Sequence, residues 1–205
     1  MLKKIVVIGP ESTGKSSLCK LLAEHYHTLW CPEYAREYLT GHGMNYTYED
    51  LLTIAKGQIE LEEKYELDVK SRQLKVKSQP DSLTTDDSRL TAHHLSLITH
   101  HSLLFIDTDM YVMKVWCEFV FGKCHQFILD QIGKRKYDLY LLCDIDLPWA
   151  YDELREYPEP GPRQRLYEIY RNTMQNQSTP WVEINGNYNQ RVRKAIHVVD
   201  SILKE

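Results

Sequence analysis

The chain has 205 residues, 42% of them hydrophobic and 26% charged, with a formal net charge of −4. These values suit one globular domain with a sizeable core, and they exclude wholesale disorder, a membrane-spanning protein, and binding of nucleic acid or anionic membranes through overall charge. The five cysteines, Cys19, Cys31, Cys117, Cys124 and Cys143, form no C-x-x-C pair, and the first residues hold too short an apolar run for a signal peptide. Buried free thiols in a cytoplasmic protein are therefore expected.

Lys4 to Gly9 reads as a buried, β-branched strand running into a glycine-bearing turn. A helix follows, with Leu18, Leu21, Leu22 and His25 at spacings that make one stripe. A second strand, Thr28 to Cys31, leads through Pro32 and Glu33 into a helix from Tyr34 to Leu39 that should stop at Gly41. From Tyr48 to Tyr65, the positions Leu51, Ile54, Ala55, Gln58, Leu61 and Tyr65 keep a helical period, and Gln58 alone breaks the apolar stripe. Residues 68–91 turn polar around Pro80 and read as a mobile insertion. Leu103 to Ile106, ending in Asp107, and Leu139 to Cys143, between Asp138 and Asp144, are buried strands.

Residues 150–172, which include DELREYPEPGPRQR, read as a lid leading into a helix through Leu166, Ile169, Tyr170 and Thr173. Trp181 to Ile184 is a last strand, and Val192, Ala195, Ile196, Val199 and Leu203 mark a final amphipathic helix. Alternating strands and helices predict a single α/β domain over 1–205, with a mostly parallel sheet and helices on both faces.

GPESTGKS, Gly9 to Ser16, lies between the first strand and its helix and matches the P-loop pattern. Such a turn aims successive backbone N–H groups inward at a helix N-terminus, where phosphates bind. Gly9, Glu11, Ser12, Thr13 and Gly14 would form the cradle for ATP. Lys15 would reach its β/γ-phosphates and Ser16 would ligate Mg²⁺. Ser17 completes the set, with a plain helix-surface position as its alternative.

Asp107, at a strand's end, suits the second magnesium-holding carboxylate. Asp109 either meets substrate or caps the helix starting near Met110. Glu33 and Arg36 follow the second strand, where ligands collect in open α/β sheets. Glu33 is the candidate to accept a proton from an acceptor hydroxyl, against the alternative of an acidic residue complementing a helix dipole. Arg155, Arg163 and Arg165 would close over transferring phosphate, or else form a solvated helix face. Tyr111, Trp116 and Trp149 would stack on a flat ring or serve as core. His93, His94, His100 and His101 lack zinc-ligand spacing.

The segments GPESTGKSSL, PEYAREYL, IAKGQ, LFIDTD with KVW, YDLYLLCDIDLPW with DELRE, and EINGNYNQRVRKAI together resemble the NadR-type ribosylnicotinamide kinase domain. The resemblance spans nearly all of the chain outside about 68–102. It implies a P-loop NTPase fold of five parallel strands with a helical lid, and phosphorylation of nicotinamide riboside by ATP to give nicotinamide mononucleotide. It places Lys15 and Ser16 on triphosphate and magnesium, Asp107 and Asp109 near metal and substrate, and Arg155 in the lid. Glu33 and Arg36 would line the acceptor pocket, and Asn185 and Gly186 would lie near adenine. The sequence lacks counterparts of the family's DNA-binding segment and of an adenylyltransferase domain with an H-x-G-H motif, so a stand-alone kinase is expected.

The reading is an ATP- and Mg²⁺-dependent kinase for a small nucleoside-like substrate, with no nucleic-acid or membrane partner and its oligomeric state open. Another nucleoside or a vitamin alcohol as acceptor is the near alternative. A nucleotide-dependent regulatory ATPase or switch is the distant one.

Overall fold

The computed structural model describes residues 2–78 and 102–204, with side chains outside 73–78. Five strands form one sheet: β1 (Leu2–Ile8), β2 (Leu29–Cys31), β3 (Ser102–Asp107), β4 (Leu139–Cys143) and β5 (Trp181–Ile184). Their order is β2-β3-β1-β4-β5 and, among the described residues, every neighbouring pair is parallel, as the alternation of elements predicts. Seven helices are described: α1 (Lys15–His25), α2 (Tyr34–His42), α3 (Tyr48–Ser78), α4 (Met110–Phe121), α5 (Gln126–Lys134), α6 (Pro160–Gln175) and α7 (Tyr188–Ile202).

Strand residues alternate between two cores because successive side chains leave opposite faces of a pleated sheet. Ile5, Val7, Leu103, Phe105, Leu139 and Leu141 pack under α1 and α7. Val6, Ile8, Leu104, Ile106, Tyr140 and Leu142 face α4 and α6 on the other side. Coverage of both faces explains why these strands are apolar at nearly every position. A third core, with Ala35, Leu51, Ile54, Met113 and Ile128, joins α2, α3, α4 and α5 into a helical layer beside the sheet. All five cysteines are free and four of them are buried. Among the described residues no helix is long and apolar enough to cross a membrane.

The elements differ from the sequence reading in four respects. Helix α2 runs through Gly41 and stops at Gly43, whose φ of +83° ends it. Leu21 faces solvent, while Cys19 and Ala23 join Leu18 and Leu22 in the core, so the stripe on α1 is rotated toward smaller residues. Residues 68–78 continue α3, since no glycine or proline interrupts them. The rest of 68–91 lies outside the described residues, as do the four histidines. Helix α5, built on a short apolar face around Ile128, carried too few turns for its period to stand out.

Candidate active site

The turn after β1 has the geometry of an anion cradle. Gly9, Ser12 and Gly14 all have positive φ, at 139°, 57° and 79°. A Cβ on Gly9 would lie 2.7 Å from the Cys143 carbonyl oxygen, so only glycine lets the loop cross the end of β4. Thr13 is buried and its hydroxyl donates to the Pro10 carbonyl at 2.7 Å. Helix α1 starts at Gly14 with no side-chain cap and no acidic residue in its first turn. Its leading N–H groups and positive dipole end thus face the loop, the arrangement that binds phosphate. Lys15 Nζ donates to the Pro10 carbonyl at 2.9 Å, which holds the ammonium over the same loop.

Arg191 of α7 braces this turn from behind. Almost wholly buried, it donates to the carbonyls of Thr13 at 2.8 Å, Asp144 at 2.9 Å and Gly186 at 2.8 Å, and it pairs with Asp146. One guanidinium therefore ties the phosphate loop to the ends of β4 and β5. Sequence reading did not single it out, and only an arginine inside an otherwise apolar helix stripe could have signalled it.

At the end of β3, Asp107 sits beside β1 in register with Val7 and is 1% exposed. Neither of its carboxylate oxygens meets a protein donor in full hydrogen-bond geometry, though the Ser16 hydroxyl lies near enough to draw on it. Burial, and next the Glu33 carboxylate, push its pKa up to about 6, against the pull of Lys15, the Ser16 hydroxyl and Arg36. A buried carboxylate with open lone pairs beside a hydroxyl and a lysine fits a hard cation such as Mg²⁺, which favours oxygen ligands. Among the described residues no group of three or more His, Cys, Asp or Glu is arranged to hold an ion. Ser16 and Asp107 would therefore share an ion with phosphate oxygens and water.

Thr108 follows with φ of +80°, a strained conformation for a β-branched residue that is worth about 1–3 kcal/mol. Its hydroxyl points to Glu33 Oε1 at 3.4 Å. Glu33 occupies the N-cap position of α2 but makes no capping hydrogen bond, so its carboxylate stays available to the cleft.

One cleft runs past the phosphate loop and Glu33, while Asp107, Thr108 and Arg191 are not part of its wall. Its polar half is lined by residues 9–17, with Glu33, Arg36 and Arg155. Its other half is apolar and aromatic, with Leu39, Met44, Val112, Trp116, Phe119 and Tyr157. Trp116 is fixed there by a hydrogen bond from its indole N–H to the Tyr46 hydroxyl at 2.9 Å, and that hydroxyl donates to Glu156 at 2.8 Å.

The lid differs from the helical one expected. The part over the phosphate loop is the non-helical stretch 150–157, whereas α6 packs into the sheet core through Leu166, Tyr167, Tyr170 and Met174. Pro158 and Pro160 separate the two, because a residue before proline is pushed out of helical conformation. The stretch is stitched to the loop below it. Ser12 Oγ accepts from the Ala150 N–H at 2.9 Å and from Arg155 at 3.2 Å, and the Glu11 carboxylate accepts from the N–H groups of Glu156 and Tyr157. Arg36 pairs with Asp152 at 2.8 Å across the same junction.

The remaining expected site residues lie elsewhere. Asp109 is buried, and Oδ1 caps α4 by accepting from Tyr111 and Val112, while Oδ2 accepts from the Tyr140 hydroxyl at 2.8 Å. Burial drives its pKa up to about 7. With both oxygens engaged it is a cap and not a cleft residue, and Tyr111, packed edge-on against Tyr140, is also absent from the cleft wall. Arg163 is buried with one hydrogen bond to the Leu147 carbonyl, and Arg165 lies over the Phe119 ring. Asn185 and Gly186 do not line the cleft. Asn185 accepts from Lys194 at 3.1 Å, and the Gly186 N–H donates to Asp146. Trp149 packs near Tyr151.

Comparison with known proteins bears on the fold and the family. The chain is 23% identical to the trifunctional NAD biosynthesis/regulator protein NadR of Salmonella typhimurium, over all of this chain and 43% of that protein. It thus spans less than half the length of that relative. Its backbone superposes on NadR protein solved in complex with NR, at a TM-score of 0.70 with 19% identity over 99% of this chain and 50% of the other. The corresponding match to NadR solved with NAD and AMP-PNP has a TM-score of 0.64, again at 19% identity, 99% and 50%. Thymidylate kinase from Ehrlichia chaffeensis matches at 0.54 with 13% identity, over 97% of this chain and 98% of that one. The fold is the P-loop α/β fold these proteins share. A family model described as AAA domain covers residues 4–191, from the strand before the phosphate loop to the arginine that braces it, and the chain belongs to that family, AAA_28.

Proposed function

We propose that the protein is an ATP-dependent kinase for a small nucleoside, nicotinamide riboside first, yielding nicotinamide mononucleotide for NAD synthesis. The observation that carries this reading is the single cleft in which a phosphate cradle adjoins an aromatic-walled pocket, with Glu33 and Arg36 at the junction. The NadR relatives, one solved with NR and one with AMP-PNP, support the choice of ligands. The pocket's chemistry supports it too. Nicotinamide riboside carries a flat, positively charged ring, and the Trp116 and Tyr157 rings beside Glu156 offer the aromatic faces and negative charge that such a ring favours.

In this reading the loop N–H groups and Lys15 bind the triphosphate and hold its developing charge. Ser16 and Asp107 hold Mg²⁺, which when bound supplies neutralisation of phosphate charge. Glu33 accepts the proton of the acceptor hydroxyl as that oxygen attacks the terminal phosphorus, and the bond to the ADP oxygen breaks. Arg155, already anchored at Ser12, stands over the transferring group, and stretch 150–157 excludes water from it.

The test is turnover of Mg²⁺-ATP across a panel of nucleosides and vitamin alcohols with product mass measured. Nicotinamide mononucleotide formed from nicotinamide riboside, and lost in Glu33→Gln, supports the assignment. Hydrolysis indifferent to every acceptor would sink it in favour of a regulatory ATPase.

A further inference from the structure

The segment IAKGQ contains two residues that helix chemistry alone does not explain. Gly57 sits inside α3, where glycine is less favourable than alanine, and Gln58 puts an amide into an otherwise apolar stripe. Gln58 is 1% exposed. Its Oε1 accepts from the Tyr34 N–H at 2.7 Å, and its Nε2 donates to the Pro32 carbonyl at 3.3 Å and approaches Cys31 Sγ at 3.6 Å. The amide thus clasps the peptide groups on both sides of Glu33. Only a carboxamide of this length offers an acceptor and a donor from one planar group. Gly57 makes the clasp possible, since a Cβ there would lie 2.1 Å from the Tyr34 ring.

The first N–H groups of a helix lack internal partners. Gln58, from a different helix, supplies one to Tyr34, the first residue of α2, and the Glu33 side chain makes no capping bond of its own. From the opposite side the Thr108 hydroxyl donates to Glu33 Oε1.

We infer that Gln58, seated through Gly57, is a positioning residue that holds the backbone of Glu33 so that its carboxylate faces the acceptor hydroxyl. This rests on Glu33 being the proton acceptor, as proposed above. Displacement of a reacting group by about 1 Å costs on the order of 10²-fold in rate, so Gln58→Leu should lower kcat with nicotinamide riboside by about 10- to 100-fold and leave the Kd for ATP unchanged.

The decisive experiment is a double-mutant cycle of Gln58→Leu with Glu33→Gln, read as kcat, alongside hydrogen exchange at the Tyr34 amide. Non-additivity is expected: once Glu33 is neutral, losing Gln58 should cause no further drop, and Tyr34 protection should fall in Gln58→Leu. If Gln58→Leu does not fold, Gly57→Ala disturbs the same clasp through the Tyr34 ring and enters the cycle in its place. Additive losses, or full kcat in Gln58→Leu, overturn the positioning role alone. Full kcat in Glu33→Gln overturns Glu33 as the proton acceptor and the positioning role with it but leaves the kinase assignment standing, whereas no turnover of nicotinamide riboside by the unmodified protein overturns that assignment.

Discussion

The two ends of the sheet bury charge in opposite ways. At the ends of the strands near the phosphate loop, Asp107 is sealed from solvent with neither oxygen in full hydrogen-bond geometry, next to a strained Thr108. At the beginnings of the strands, Glu62 of α3 is just as buried, yet Oε1 accepts from Lys4 at 3.1 Å and pairs with Arg135 at 3.1 Å, while Oε2 accepts from Tyr137 at 3.0 Å. A buried carboxylate that is fully paired holds structure together, and removing one partner leaves an uncompensated charge. A buried carboxylate left open is costly to the fold and serves a ligand that brings the missing partners. Burial therefore does not distinguish a working site from a structural one, but satisfaction does.

That contrast can be tested from its strongest consequence downward. Lys15→Ala should lower turnover by at least about 10³-fold while leaving the melting temperature nearly unchanged, because it removes charge stabilisation without touching the core. Thermal melts and steady-state rates read both. Glu62→Ala should do the reverse, destabilising the protein by about 3–5 kcal/mol in denaturant titrations while ATP affinity of the folded fraction persists. Loss of turnover with full stability in that variant would erase the distinction between the two ends.

Asp107→Asn should show both signs at once. Its folded pKa is raised from 3.8 to about 6, so the ionised group opposes folding as pH rises through that interval. Without nucleotide or metal, Asp107→Asn should be the more stable protein at pH 8, with the gain shrinking as pH falls toward 4. Mg²⁺-dependent turnover should be lost by about 10²-fold. The smallest effect belongs to Asp109→Ala. Loss of the α4 cap and of the Tyr140 partner should destabilise by about 2 kcal/mol, with KM for the acceptor unchanged, whereas a raised KM would return Asp109 to the substrate.

The fold was largely legible because buried parallel strands advertise themselves as apolar runs, and because the P-loop spacing sits where a strand turns into a helix. Lys15, Ser16, Glu33, Arg36, Trp116 and Arg155 do come together in one cleft. Sequence favoured metal for Asp107 and left Asp109 between substrate and helix cap; what engages both Asp109 oxygens is the start of α4 together with Tyr140 on β4, two strands from β3, a contact that spacing does not show. Arg191 and Gln58 act through contacts with backbone groups far away in the chain, and backbone partners leave no pattern in residue types. The helix through Leu166 and Tyr170 was legible from its period, but its packing into the sheet core rather than over the phosphate loop was not, because the charged segment before it reads as continuous with it.

The central place of β1 also governs how the protein must fold. Its two flanking strands are β3, with Leu2 opposite Ser102, and β4, with Ile5 opposite Leu139. The phosphate loop cannot take shape until both have been synthesised and brought together, since Gly9 lies against Cys143 and Thr13 is held by Arg191 near the far end of the chain. Such distant pairings are slow to form and leave apolar strands exposed meanwhile. Nucleotide capture therefore waits on contacts between segments distant in sequence, and refolding followed by ATP binding should lag behind refolding followed by helix content.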